Sequence, residues 1–203
     1  DHRYGRIKTE EFKEVRMNRN EALELLKEHV KTDRLLRHSF AVEAAMIAYA
    51  KKFEEDEIRW GNLGLLHDID FEKFPEDHPN HAPELLKDTE FDQVFIDSIL
   101  SHGYGDVVPR DMPERKCLHA VDEMASFIIA VSLMRPTKLE GLKAKSVKKK
   151  MKDKAFAKAV NREELVSSME ELGMEFAEHI DIIVGGLIEH EAVLQADGYS
   201  LLG

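Results

Sequence analysis

The stretch TDRLLRHSFAVEAAMIAYAKKF, residues 32 to 53, decides how the rest of the chain is read. Leu35, Leu36, Phe40, Val42, Ala45, Met46 and Tyr49 recur mostly at three- and four-residue spacings, the period of one face of a helix. That face is too wide for a helix resting on a single neighbour. A helix from Thr32 to Phe53 is therefore expected at the centre of a bundle.

Upstream, Ala22, Leu25, Leu26, His29 and Val30 continue the helical period, with Asn18 or Asn20 as the cap. Residues 1 to 17 are polar with little periodicity and read as a tail or peripheral helix. Downstream, EEDEIRWGNLGLLHDIDF (54 to 71) opens with acids suited to a helix N-terminus and turns apolar, so that His67 falls near the C-terminal end of a buried helix. Pro75, Pro79 and Pro83 then break regularity, and Leu85 and Leu86 begin a short helix. FDQVFIDSILSHG reads as a helix ending at Gly103, and YGDVVPRDMP as a loop ending at Pro113. A long apolar helix, ERKCLHAVDEMASFIIAVSLM, follows and is stopped by Pro136. Beyond KSVKKKMKDKAFAKAV, two more helices span about Arg162 to Gln195. No strand pattern of any length is present, so the expected fold is all-α.

With 203 residues, 43% hydrophobic and 34% charged, the chain suits one sizeable core, and residues 18 to 203 are expected to form a single domain. Cys117 is the only cysteine and cannot form an internal disulfide. Neither a membrane-length apolar run nor a basic-apolar leader is seen, and a cytoplasmic, membrane-free setting is the expectation. A net charge of −11 argues against binding a nucleic acid polymer, which needs a basic footprint. A bound cation can reverse that balance locally.

Four candidates for chemistry lie on or at the ends of expected apolar helices: His38, the pair His67 and Asp68, His102, and Asp122. Asp122 lies in CLHAVDEMASFIIAV, where an unpaired carboxylate would be costly to bury. Three histidines in similar settings make a shared divalent cation the simplest common partner. Neither zinc-finger nor HExxH spacing is present.

The adjacent His67 and Asp68 of LLHDID, with His38 of RHS before them and Asp122 of AVDEMA after, resemble the HD superfamily of metal-dependent phosphohydrolases. The resemblance spans about residues 34 to 135. HDIDFEKFPEDHP, ILSHG, AVDEMASFIIAVSLMRPTK and KSVKKKMKDKAFAKAVNRE extend it to about residue 195, towards a compact single-domain HD subgroup of hydrolases. It implies an HD helical bundle with additional C-terminal helices over residues 138 to 203. It also implies His38, His67, Asp68 and Asp122 as primary metal ligands. His102 with His78, or His81 in its place, would hold a second ion. One or two transition ions among Fe, Mn, Zn, Ni and Co suit such ligands, with Asp68 as the bridging carboxylate.

Arg34 and Arg37 precede His38 on one helix, and Arg34 shares its face, so both are candidates for binding substrate oxygens. Arg135 in LMRPTK is another, as are Lys148 and Lys149, which lie within a run of six lysines over residues 143 to 152. Asp70 and Glu72 are acid or base candidates on proximity to the doublet, and His119 lies one turn before Asp122. The expected activity is hydrolysis of a phosphomonoester or phosphodiester, by family resemblance that of a nucleotide, through metal-activated water. The alternative is a regulatory module that binds metal and nucleotide without turnover. Broad apolar faces fit a monomer or a homodimer equally.

Overall fold

The structure, a computed structural model, describes residues 17 to 103 and 108 to 203. The N-terminal tail, apart from Met17, and residues 104 to 107 of the expected loop lie outside the described residues. Nine helices and no strand occur among the described residues. They are α1 (Arg19–His29), α2 (Asp33–Lys52), α3 (Glu57–Leu66), α4 (Ala82–Leu86), α5 (Gln93–Leu100), α6 (Pro113–Leu133), α7 (Ala144–Lys152), α8 (Arg162–Leu172) and α9 (Phe176–Ala196).

The central position of α2 follows from its apolar breadth. Its buried residues include Leu36, Phe40, Val42, Ala45, Met46 and Tyr49, and α3, α6 and α9 pack around it. α1 leans on α3, α8 on α6, and α7 touches both α6 and α9. All nine helices contribute to one continuous hydrophobic core, from Ala22 on α1 to Leu194 on α9.

Local chemistry starts and stops these helices. The Asn18 side chain accepts a hydrogen bond from the Glu21 N–H at 2.9 Å, and Asp56 caps α3 through the N–H groups of Ile58 and Arg59. Asn161 and Asp92 do the same for α8 and α5. α4 differs from expectation, because Leu85 and Leu86 end it and do not begin it. Pro83 lies in its first turn, where a missing N–H breaks no helical bond. α5 stops at Leu100, three residues before Gly103.

Two close approaches set the site. A Cβ on Gly64 would lie 2.8 Å from the Val42 carbonyl and 2.9 Å from the Glu43 backbone, so only glycine lets α3 press this closely on α2. Three residues later comes His67. A Cβ on Gly103 would meet Pro79 Cδ at 2.6 Å, so this glycine admits the loop carrying His78 against the end of α5.

Candidate metal centre

The segment from His67 to His81 is a succession of turns, with backbone bonds such as Phe71 N–H to Asp68 O at 3.0 Å and Phe74 N–H to Asp70 O at 2.8 Å. It folds back so that His78 meets Asp68 and His102, beside four side chains supplied by four helices. His38 comes from α2, His67 caps α3, His102 follows α5, and Asp122 comes from α6.

Two groups of donor atoms result. One atom from each of His38, His67, Asp68 and Asp122 lies within 4.8 Å of the others, and the same is true of Asp68, His78 and His102. These groups could hold metal ions. Asp68 belongs to both, and its two oxygens divide between them. Oδ2 is 3.1 Å from His38 Nε2 and 3.3 Å from His67 Nε2. Oδ1 is 3.0 Å from His78 Nε2 and 3.2 Å from His102 Nε2. Asp122 Oδ1 completes the first group at 2.9 Å from His38 Nε2 and 3.2 Å from His67 Nε2.

All four imidazoles are anchored through Nδ1. His67 Nδ1–H donates to Gly64 O at 2.6 Å, and His102 Nδ1–H donates to Ile99 O. His78 Nδ1 pairs with the buried carboxylate of Asp70, and His38 Nδ1 with the Ser126 hydroxyl at 2.7 Å. A carbonyl only accepts, so His67 and His102 in their neutral form present a lone pair at Nε2. Those lone pairs face the carboxylate oxygens of Asp68 and Asp122 and two more ring nitrogens: His38 Nε2 and His67 Nε2 are 3.1 Å apart, and His78 Nε2 and His102 Nε2 are 3.0 Å apart. Electron pairs brought together beside two carboxylates need protons or cations between them.

The proton alternative is visible in the electrostatics. Burial opposes a charge on His38, but Asp122 and Asp68 outweigh it and push its pKa up to about 9. Burial likewise opposes protonation of His78, and Asp68 and Asp70 bring it up to about 9. Burial raises the carboxyls of Asp68 and Asp122, and the facing histidines more than reverse that, holding both far below the usual range. A divalent cation would satisfy the same donors while releasing those protons.

The groups open on a cavity of about 420 Å³ whose wall includes Arg110, His119, Glu123 and Glu164. His119 Nε2 pairs with Glu164 Oε1 at 3.0 Å, and Arg110 Nη1 donates to Ser101 O at 3.1 Å. Burial first, then the neighbouring Asp122 and Glu164, raises the Glu123 pKa. Buried Arg110 Nε and Glu123 Oε2 have no hydrogen-bond partner among the described residues. Sequence reasoning missed Arg110, Glu123 and Glu164. Glu123 was detectable as the neighbour of Asp122, whereas no periodicity marks Arg110.

Other candidates lie elsewhere. His81 stacks on Phe74 at 3.8 Å and pairs with Asp77 and Glu84, away from both donor groups. Asp70 sits behind His78, where it also accepts from the His81 N–H at 3.0 Å, so its place is that of a positioning group. The Glu72 carboxylate accepts from Lys31 N–H at 2.7 Å and Thr32 N–H at 2.9 Å. It thus serves the start of α2 and belongs to neither donor group. Arg135 is engaged by the carbonyls of Lys138 and Glu140 in the turn after α6. Lys148 and Lys149 are exposed on α7, whose buried side is Val147, and line neither cavity beside the centre. Arg34 and Arg37 do line a second cavity that includes His38 and Asp68.

Comparison of the chain with protein-family models, curated proteins and solved structures finds no match. No described helix is long and apolar enough to cross a membrane.

Proposed function

We propose that the protein is a metal-dependent phosphohydrolase of the HD superfamily that cleaves a phosphomonoester or phosphodiester, with nucleotides as the first substrates to test. The observation that carries this reading is the division of Asp68 between two donor groups, Oδ2 towards His38 and His67 and Oδ1 towards His78 and His102. One carboxylate so placed suits a pair of cations. Imidazole and carboxylate donors favour Fe, Mn, Zn, Ni or Co over calcium.

Bound there, such ions supply a water whose pKa falls towards about 7 and positive charge for phosphate oxygens. The chain's own residues do the rest. Ser126, Gly64, Asp70 and Ile99 fix the four imidazoles through Nδ1, so the Nε2 atoms need no reorganisation to bind. Arg34, Arg37 and Arg110 line the two adjoining cavities and provide guanidinium groups for the anion. His119, held by Glu164, adds a polar group to the wall of the first cavity.

The test is elemental analysis of purified protein and of His67→Ala and Asp122→Ala, followed by turnover of a phosphate-ester panel with each added metal. One or two ions per chain, lost in both variants together with phosphate release, is the expected result. Absence of metal after growth in supplemented medium would sink the reading. Bound metal and nucleotide-dependent thermal stabilisation without product would replace it with the binding-module alternative.

A further inference from the structure

His38, Asp68 and Phe71 line two cavities at once, so the candidate centre lies where they adjoin. The cavities differ in chemistry. The first, described above, is walled by charged groups. The second, of about 570 Å³, has an apolar wall of Ile129, Ala130 and Leu133 on α6 and Leu201 and Leu202 near the chain end. The latter segment is tied down where the Glu191 carboxylate accepts from Ser200 Oγ–H at 2.5 Å and Leu201 N–H at 2.8 Å.

Two further features bear on what this chamber accepts. The guanidinium groups of Arg34 and Arg37 at its edge have no hydrogen-bond or ion-pair partner among the described residues. The wall also offers little to read hydroxyls or a base edge. Among the described residues its one hydroxyl, Ser126, is paired with His38 Nδ1 at 2.7 Å, and its one carboxylate is Asp68. Guanidinium groups without a partner among the described residues, beside an apolar wall, match an anion that carries a flat apolar body, since arginine both pairs with phosphate and stacks on aromatic faces. Leu133 remains 45% exposed, an apolar surface that such a body would cover.

We infer that the Arg34–Arg37 chamber seats the organic arm of the substrate and selects phosphate esters with an apolar, aryl-like group over polyhydroxylated ones. The inference rests on the phosphohydrolase reading for the phosphate head, which lies at the His38–Asp68 junction while the arm extends along α6. The size is sufficient, because ligand cavities of roughly 300 to 1,000 Å³ hold drug-sized molecules.

The experiment is calorimetric titration of the full chain, as purified and after metal loading, with two non-hydrolysable phosphonates, 1-naphthylmethylphosphonate and 2-hydroxyethylphosphonate. The aryl compound is expected to bind at least about tenfold more tightly, the effect of burying one ring's worth of apolar surface. Ala130→Trp, which fills the chamber, should remove that preference with metal content unchanged. Leu133→Ser, at a half-exposed position that folding tolerates, should reduce the preference about threefold. Arg34→Ala with Arg37→Ala should weaken both compounds together. Equal binding of the two phosphonates, or a preference that survives Ala130→Trp, overturns the inference, as it would if a second copy of the chain covered the wall. The readout is binding, so the two readings fail separately. An aryl preference without turnover of any ester would sink the hydrolase alone, and turnover with no preference would sink the chamber alone.

Discussion

Asp70 shows how one residue's placement changes its meaning. Adjacency to the His67–Asp68 pair suggests an acid or base, yet its carboxylate is fully buried and spent on His78 Nδ1 and the His81 N–H. Its effect on chemistry therefore runs through His78. Removing it in Asp70→Ala should weaken metal binding at the Asp68–His78–His102 group by about 10- to 100-fold, the usual cost of losing a partner behind a ligand. The His38–His67–Asp122 group should keep its ion. Metal titration would read this as a fall from two ions to one, and equal loss at both groups would contradict the assignment. His179 is the opposite case, a histidine with no chemistry. Its Nε2–H donates to Ala120 O at 3.1 Å and its Nδ1 pairs with Tyr49 Oη, joining α9 to α6 and α2. Burial lowers its pKa to about 4 although the Ala120 carbonyl acts in the other direction. His179→Ala should cost about 2 to 4 kcal/mol in urea denaturation through lost hydrogen bonds and a cavity.

Among the elements, the contact between α2 and α3 governs the centre, because His38 and His67 ride on its two sides. Gly64 allows that contact. Gly64→Ala should destabilise the protein by about 1 to 3 kcal/mol, the range for overpacking a close-packed interior. It should also lower metal occupancy by displacing His67, and a variant with wild-type stability and metal content would refute the argument. Most helices were legible in the sequence, since α1, α2, α3, α6, α8 and α9 each carry an apolar period, and all of them but α9 start at a capping residue or a proline. The bounds of α4 were not, because five residues are too few for a period and Pro83 looks like a breaker unless the first turn is already known. The lysine run of α7 advertised a binding surface, but its period places Val147 inward and Lys148 and Lys149 in solvent.

For the molecule as a whole, the converging donors predict different pH responses with and without metal. In metal-free protein, His38 and His78 have pKa values raised from 6.5 to about 9. Their protonated pairs with Asp68 and its neighbours then contribute stability that is fully present below about pH 6.5 and lost as pH rises through about 9. Metal binding must displace those protons, so apparent metal affinity should rise over the same interval. Thermal melts from pH 6 to 9.5 in chelator should thus show a falling midpoint, and melts with saturating metal a smaller fall or a rise. Parallel curves would mean that no ion competes with protons at these groups.

The sequence by itself determined the helical class, the order of the main helices and the residue types of a candidate metal centre, because periodicity, caps and buried ionisable groups are local signals. Only the tertiary structure decided which of them meet. His78 is chosen over His81 because the turn segment aims one ring at His102 and stacks the other on Phe74. Arg110, Glu123 and Glu164 share a wall with the centre because α8 packs on α6 and Arg110 bonds to Ser101 at the end of α5, and Glu72 is withdrawn because the start of α2 passes beside it. These choices depend on distances between residues far apart in the chain, which no local pattern encodes.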